Sequence, residues 1–79
     1  RVAENFSLRT TGLLEVQHVE YRVVLPRGFD AVYEPIGHTD PGVALSIEPQ
    51  QDKEGRNTFL WRANRIPSFK EVGVRLELE

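Results

Sequence analysis

His18 and Glu20 stand two residues apart, and Arg22 follows two residues later, in a stretch whose apolar residues alternate with polar ones. On a β-strand, positions two apart share a face, so these three would set an imidazole, a carboxylate and a guanidinium in one row. His38 and Asp40 repeat the two-residue spacing in a polar loop, where imidazole and oxygen ligands can converge. No other histidine is present. Either pair supplies two ligands, whereas zinc takes three or four from the protein. The expectation is therefore a solvated strand face and a polar loop, not a metal centre. Nucleophilic catalysis needs a Ser, Cys or Thr bonded to an oriented base. Cysteine is absent, and Ser7, Ser46 and Ser68 lie in no nucleophile-elbow context. The chain reads as a non-enzyme, with no catalytic, cofactor or metal residue assigned.

The aromatic residues offer a different chemistry. Tyr33, Trp61 and Arg62 are the candidates for a platform that binds carbohydrate or another ligand, with Arg56, Arg65 and Lys70 as a basic rim. Asp52, Glu54 and Glu71 dilute that rim. Phe59 and Trp61 are both odd-numbered on one strand-like arm, which assigns them to the apolar side, and an aromatic pair at strand spacing is more often packing than platform. Packing is the preferred reading. Asn5-Phe6-Ser7 matches the N-glycosylation pattern, which takes effect only in a secretory eukaryotic context; no modification is assigned.

The elements that must position these residues are strands. Val43–Ala63 reads as one hairpin: Val43-Ala44-Leu45-Ser46-Ile47-Glu48 and Thr58-Phe59-Leu60-Trp61-Arg62-Ala63 alternate with period two around a reversal at Asp52–Gly55. Phe6 and Leu8 suggest an edge strand. Leu13–Leu25 is the longest strand-like stretch, but Leu14 and Val16 are even-numbered while Val19, Tyr21, Val23 and Leu25 are odd. A bulge near Gln17–His18, or two strands that cross from one sheet to the other at that bend, would produce that change of facing. Pro26 ends the run. A short strand follows around Ala31–Glu34, then a loop over Ile36–Gly42. Pro67 interrupts Asn64–Lys70, and Val72–Glu79 is the last strand, apolar on even positions and carrying Arg75, Glu77 and Glu79 on the other side. That charged side reads either as a guard against edge pairing or as a strand that meets a following domain. With no helical period longer than ten residues, the fold expected is all-β, a small antiparallel β-sandwich, immunoglobulin-like or similar, of five to seven strands. The expected core is Val19, Tyr21, Val23, Leu25, Tyr33, Val43, Leu45, Ile47, Phe59, Trp61, Val74 and Leu76.

Composition bounds the rest. A chain of 79 residues makes a single domain, which buries about 60–65% of its unfolded surface. It has no cysteine for a disulfide, so support from a neighbouring domain or subunit is expected. Absence of methionine and a start at Arg1 suggest a piece of a longer protein. Net charge is −2, with both signs scattered along the chain. Nucleic acid is not expected, because phosphate neutralisation needs clustered Lys and Arg. Direct membrane insertion is not expected either, because no apolar run approaches bilayer length.

Trp61-Arg62-Ala63-Asn64-Arg65-Ile66-Pro67-Ser68-Phe69-Lys70-Glu71 resembles a segment of a bacterial β-sandwich domain that precedes transglutaminase-like domains in exported and surface proteins. The shared pattern is a strand ending in Trp, a short connector, Pro, an apolar residue and Glu, matched by Trp61, Pro67 and Glu71. Val23-Val24-Leu25-Pro26-Arg27-Gly28-Phe29 is similar to the same family's strand ending in Pro and a basic-Gly turn. The resemblance covers roughly Leu14 to Glu71. Where that family tends to follow the Glu with a Pro-containing loop, Val72-Gly73-Val74 begins another strand. The resemblance implies a non-catalytic accessory domain in a periplasmic, cell-surface or secreted protein, packed against a neighbour. It transfers no catalytic residue. The expected role is to present the Ile36–Gly42 and Pro49–Asn57 loops, or the sheet edges, to that neighbour.

Overall fold

The computed structural model describes residues 2–37 and 42–79. Among them lie six strands and no helix: β1 (Ala3–Arg9), β2 (Val16–Val24), β3 (Ala31–Ile36), β4 (Ala44–Gln51), β5 (Asn57–Ile66) and β6 (Glu71–Leu78). They form two antiparallel sheets of three, in the orders β1-β6-β3 and β2-β5-β4. The sheets pack face to face as a sandwich whose shortest extent is 19 Å, about the 10 Å between packed sheets plus their outer side chains.

The hairpin expected from alternation is β4–β5, with Leu45 opposite Ala63 and Ile47 opposite Trp61. Its turn is built by Asp52. That carboxylate accepts from the backbone N–H of Glu54 (3.0 Å) and of Arg56 (2.8 Å), and from Arg56 Nε (2.8 Å). Gly55 supplies the left-handed residue, φ 79°, that such a loop needs. The N–H of Arg56, then its guanidinium, hold the Asp52 pKa below the ordinary carboxylate value.

β5 and β6 are the middle strands, and they carry the core. Phe59, Trp61, Ala63 and Ile66 from β5 meet Val72, Val74 and Leu76 from β6, with Val23, Leu25, Ala31 and Val43 closing the sides. Two expected core residues are corrected. Tyr21 and Tyr33 are 46% and 42% exposed, because each lies on an edge strand with a neighbour on one side only. Ile66 and Val72, which flank the Pro67 turn and were not among the expected core, are fully buried.

The change of facing near Gln17–His18 is present, but not as a one-sided bulge. Val16 pairs with Ile66 and His18 with Asn64 in one unbroken register. Both strands turn over on the same rungs. Gln17 and His18 are exposed on β2, Asn64 and Arg65 on β5, and Arg65 takes φ 55°. Val16 and Ile66 thereby reach the core together with Val19 and Ala63. Leu13 and Leu14 are not strand: they precede β2 in the connection from β1 and are 94% and 74% exposed.

Gly73 lets β1 lie against β6. A Cβ there would come 2.3 Å from Phe6 O and 2.6 Å from Ser7 Cα, both backbone atoms that cannot swing aside. Gly73→Ala should cost about 3 kcal/mol or more, measured by denaturant unfolding. A loss under 1 kcal/mol would mean that β1 is only loosely docked.

Candidate interaction surfaces

The outer face of the β2-β5-β4 sheet carries a polar ladder. Arg62 on the middle strand donates from Nε to Glu20 Oε1 (3.2 Å) on β2 and from Nη1 to Glu48 Oε1 (3.0 Å) on β4. Gln50 Nε2 donates to Glu48 (3.2 Å). His18 lies between Asn64 Oδ1 (2.5 Å from Nδ1) and Glu20 Oε1 (3.3 Å from Nε2). Both ring nitrogens face acceptors, so the doubly protonated imidazolium is favoured. The Asn64 bond first, then Glu20, raise the His18 pKa above 6.5. His18, Glu20 and Arg22 do share a face, as their spacing requires. Glu20, however, is shared by Arg62 and His18, and Arg22 makes no ion pair among the described residues. These exposed pairs organise the face more than they stabilise it, since such pairs are typically worth about 0–1 kcal/mol each.

Tyr33, Trp61 and Arg62 do not come together. Trp61 has no exposed surface and points inward, with Tyr21 stacked on it at 5.7 Å between centroids. Arg62 points out of the same sheet. Tyr33 stands on the far edge of the other sheet, its ring 5.7 Å from that of Phe59. Beside Tyr33 an open groove of about 590 Å³ is lined by Val32, Glu34, Arg75 and Glu77, which brings Arg75 and not Arg62 near the tyrosine. Ser46 sits on the outer face opposite Arg62. Ser7 Oγ donates to Glu71 Oε2 (2.6 Å), and Arg9 joins the same carboxylate. Among the described residues no three His, Cys, Asp or Glu side chains gather where they could hold a metal ion. The His38–Asp40 pair lies outside the described residues.

At one end of the sandwich, the β1–β2 and β5–β6 connections are stitched together by buried Thr10. Its N–H donates to Lys70 O (2.8 Å), its Oγ1 donates to Pro67 O (2.6 Å), and the Lys70 N–H donates back to Oγ1 (2.9 Å). Beside this hydrogen-bonded junction stand Leu13, Leu14 and Phe69, the last 77% exposed. The Phe69 ring lies against Gly12, where a Cβ would come 2.5 Å from Cζ. Phe69 also holds φ 58°, a left-handed conformation that costs a bulky L-residue roughly 1–2 kcal/mol. Sequence reading passed over this end, because Leu13-Leu14 looked like strand and Phe69 like part of an irregular stretch. The positive φ left no trace in the sequence. The β4–β5 reversal is a short turn closed on itself by Asp52, and Pro49–Gln51 and Asn57 of the Pro49–Asn57 stretch belong to the flanking strands.

Comparison with protein-family models, with curated proteins and with solved structures found no match to this chain.

His18 gives the surface a pH dependence. Its folded pKa lies above 6.5, so its contribution to stability is fully present below the unfolded value and fades as pH rises through the folded one. Proton-NMR titration should place the His18 midpoint above 6.5, and Asn64→Ala should move it down towards that value. A midpoint at or below 6.5 in the unmodified chain would show that the Asn64 and Glu20 contacts do not form in solution.

Proposed function

We propose that the chain is a non-catalytic, immunoglobulin-like interaction domain of a larger exported or surface protein, and that it docks to a neighbouring domain or subunit through the Leu13-Leu14-Phe69 end. The observation that carries this is Phe69, a large apolar side chain held out in water at a backbone angle that disfavours it. Folding alone gains little from such a residue, and strained positions persist where they serve function. Exposed apolar clusters of this kind mark contact sites. The immunoglobulin-like reading is supported by the strand order. β2-β5-β4 facing β3-β6 corresponds to the B-E-D and C-F pairings of that sandwich, with β1 on the β6 edge where the fold has its last strand.

A second reading, carbohydrate binding, is favoured by the groove beside Tyr33 alone. Half-exposed Tyr33 is among the residues that line it, with Glu34 and Arg75, while its ring turns towards Phe59. Trp61 and Arg62 have no part in it.

Two measurements test the docking role. Phe69→Gly should leave the isolated chain as stable as before or raise it by about 1 kcal/mol, since strain is released and little packing is lost. A photo-crosslinking phenylalanine analogue at position 69, in cells of the source, should trap one discrete partner. The same probe at Lys53, in the turn at the other end, should not. A Phe69→Gly variant destabilised by more than 1 kcal/mol would make Phe69 a structural residue, and equal crosslinking from both positions would remove the docking surface.

A further inference from the structure

The two sheets leave four edges, and they differ. β3 carries Pro35 and β4 carries Pro49, a residue that blunts an edge by removing a ladder donor. β2 carries neither proline nor glycine over its nine residues, and no strand pairs with its outer side among the described residues. In a seven-stranded sandwich of the immunoglobulin kind a further strand would flank this edge.

The sequence of β2 is complementary to itself. When two such strands run antiparallel about a twofold axis, only registers centred on a residue keep both inner faces on one side. Centred on Tyr21, Glu20 stands opposite Arg22 of the second copy, and Arg22 opposite its Glu20. Val19 stands opposite Val23 twice over, and the two Tyr21 rings, each half-exposed and stacked on its own Trp61, meet across the axis. Moving the centre by one residue sets Glu20 against Glu20, or Arg22 against Arg22. The charges thus favour one register and oppose its two neighbours. They also supply Arg22 with an anionic partner, which it does not have among the described residues of its own chain.

We propose that β2 pairs antiparallel with β2 of a second copy about an axis through Tyr21, joining the two β2-β5-β4 sheets into one six-stranded sheet. The interface is isologous, the same patch used twice, and closes on itself. It is a separate surface from the Leu13-Leu14-Phe69 end and does not rest on that reading, so either can fail alone.

Sedimentation equilibrium tests it directly. The unmodified chain should rise from 9.0 kDa towards twice that mass as concentration increases to about 1 mM, the range of a weak interface. Arg22→Glu and Glu20→Arg should each remain monomeric, because each opposes like charges across the axis. An equimolar mixture of the two variants should recover the dimer, since every Glu then faces an Arg. Arg22→Gln, the milder change, should weaken association about tenfold, and it serves if a reversed-charge variant loses the cooperative unfolding of the parent. A monomer at every concentration, a dimer retained by the single variants, or a mixture that stays monomeric would overturn the proposal.

Discussion

The fold depends on the contact between two strands, β5 and β6, at the centres of opposite sheets. The five largest fully buried side chains, Trp61, Ile66, Val72, Val74 and Thr58, all belong to them. A domain of this size is stabilised by only about 4–12 kcal/mol in total, and emptying the Trp61 site to alanine would cost about 3–5 kcal/mol of it. Everything outside the pair is an edge strand or a connection, supported on one side. Even the middle pair is not perfectly satisfied: Trp61 Nε1 and Thr58 Oγ1 are buried with no hydrogen-bond partner among the described residues.

That constraint explains how the other parts are placed. Pro67–Lys70 must carry the chain from one sheet to the other in four residues, so β5 and β6 are tied closely and Thr10 anchors the β1–β2 connection to the same crossing. At the end tied in this way Leu13, Leu14 and Phe69 are exposed. The thin three-stranded sheets, in turn, leave open edges that proline guards on one side of each sheet and not on the other. A small core concentrated in two strands and a surface rich in unfinished contacts are two aspects of one arrangement.

Much of this was legible in the sequence, because alternation reports which residues share a face. The β4–β5 hairpin, the last strand, the two-sided facing of Phe59 and Trp61 against Arg62, and the irregularity at Gln17–His18 were all readable. Alternation does not report whether a strand is central or at an edge. Tyr21 and Tyr33 therefore looked like core and are half-exposed, while Ile66 and Val72 looked like the margins of a turn and are its most buried neighbours. Nor does it distinguish a strand from an exposed apolar loop: Leu13-Leu14 read as the start of β2. The surfaces were harder still. Tyr33 lies apart from Trp61 and Arg62 because strand order, which is set by long-range pairing, puts β3 in the other sheet. The self-complementarity of β2 was present in the sequence but had no meaning until β2 was known to be an edge.

The most direct test of the central claim is residue-resolved native-state hydrogen exchange by NMR. If the β5–β6 contact holds the molecule together, the hydrogen-bonded amides of Phe59–Ala63 and Val72–Leu76 should exchange slowest and only by global unfolding. Those of β1 and β3, each bonded on one side, should open at lower free energy. Slowest exchange in β1 or β3, or equal protection across all six strands, would contradict the account and place the stability of the domain elsewhere.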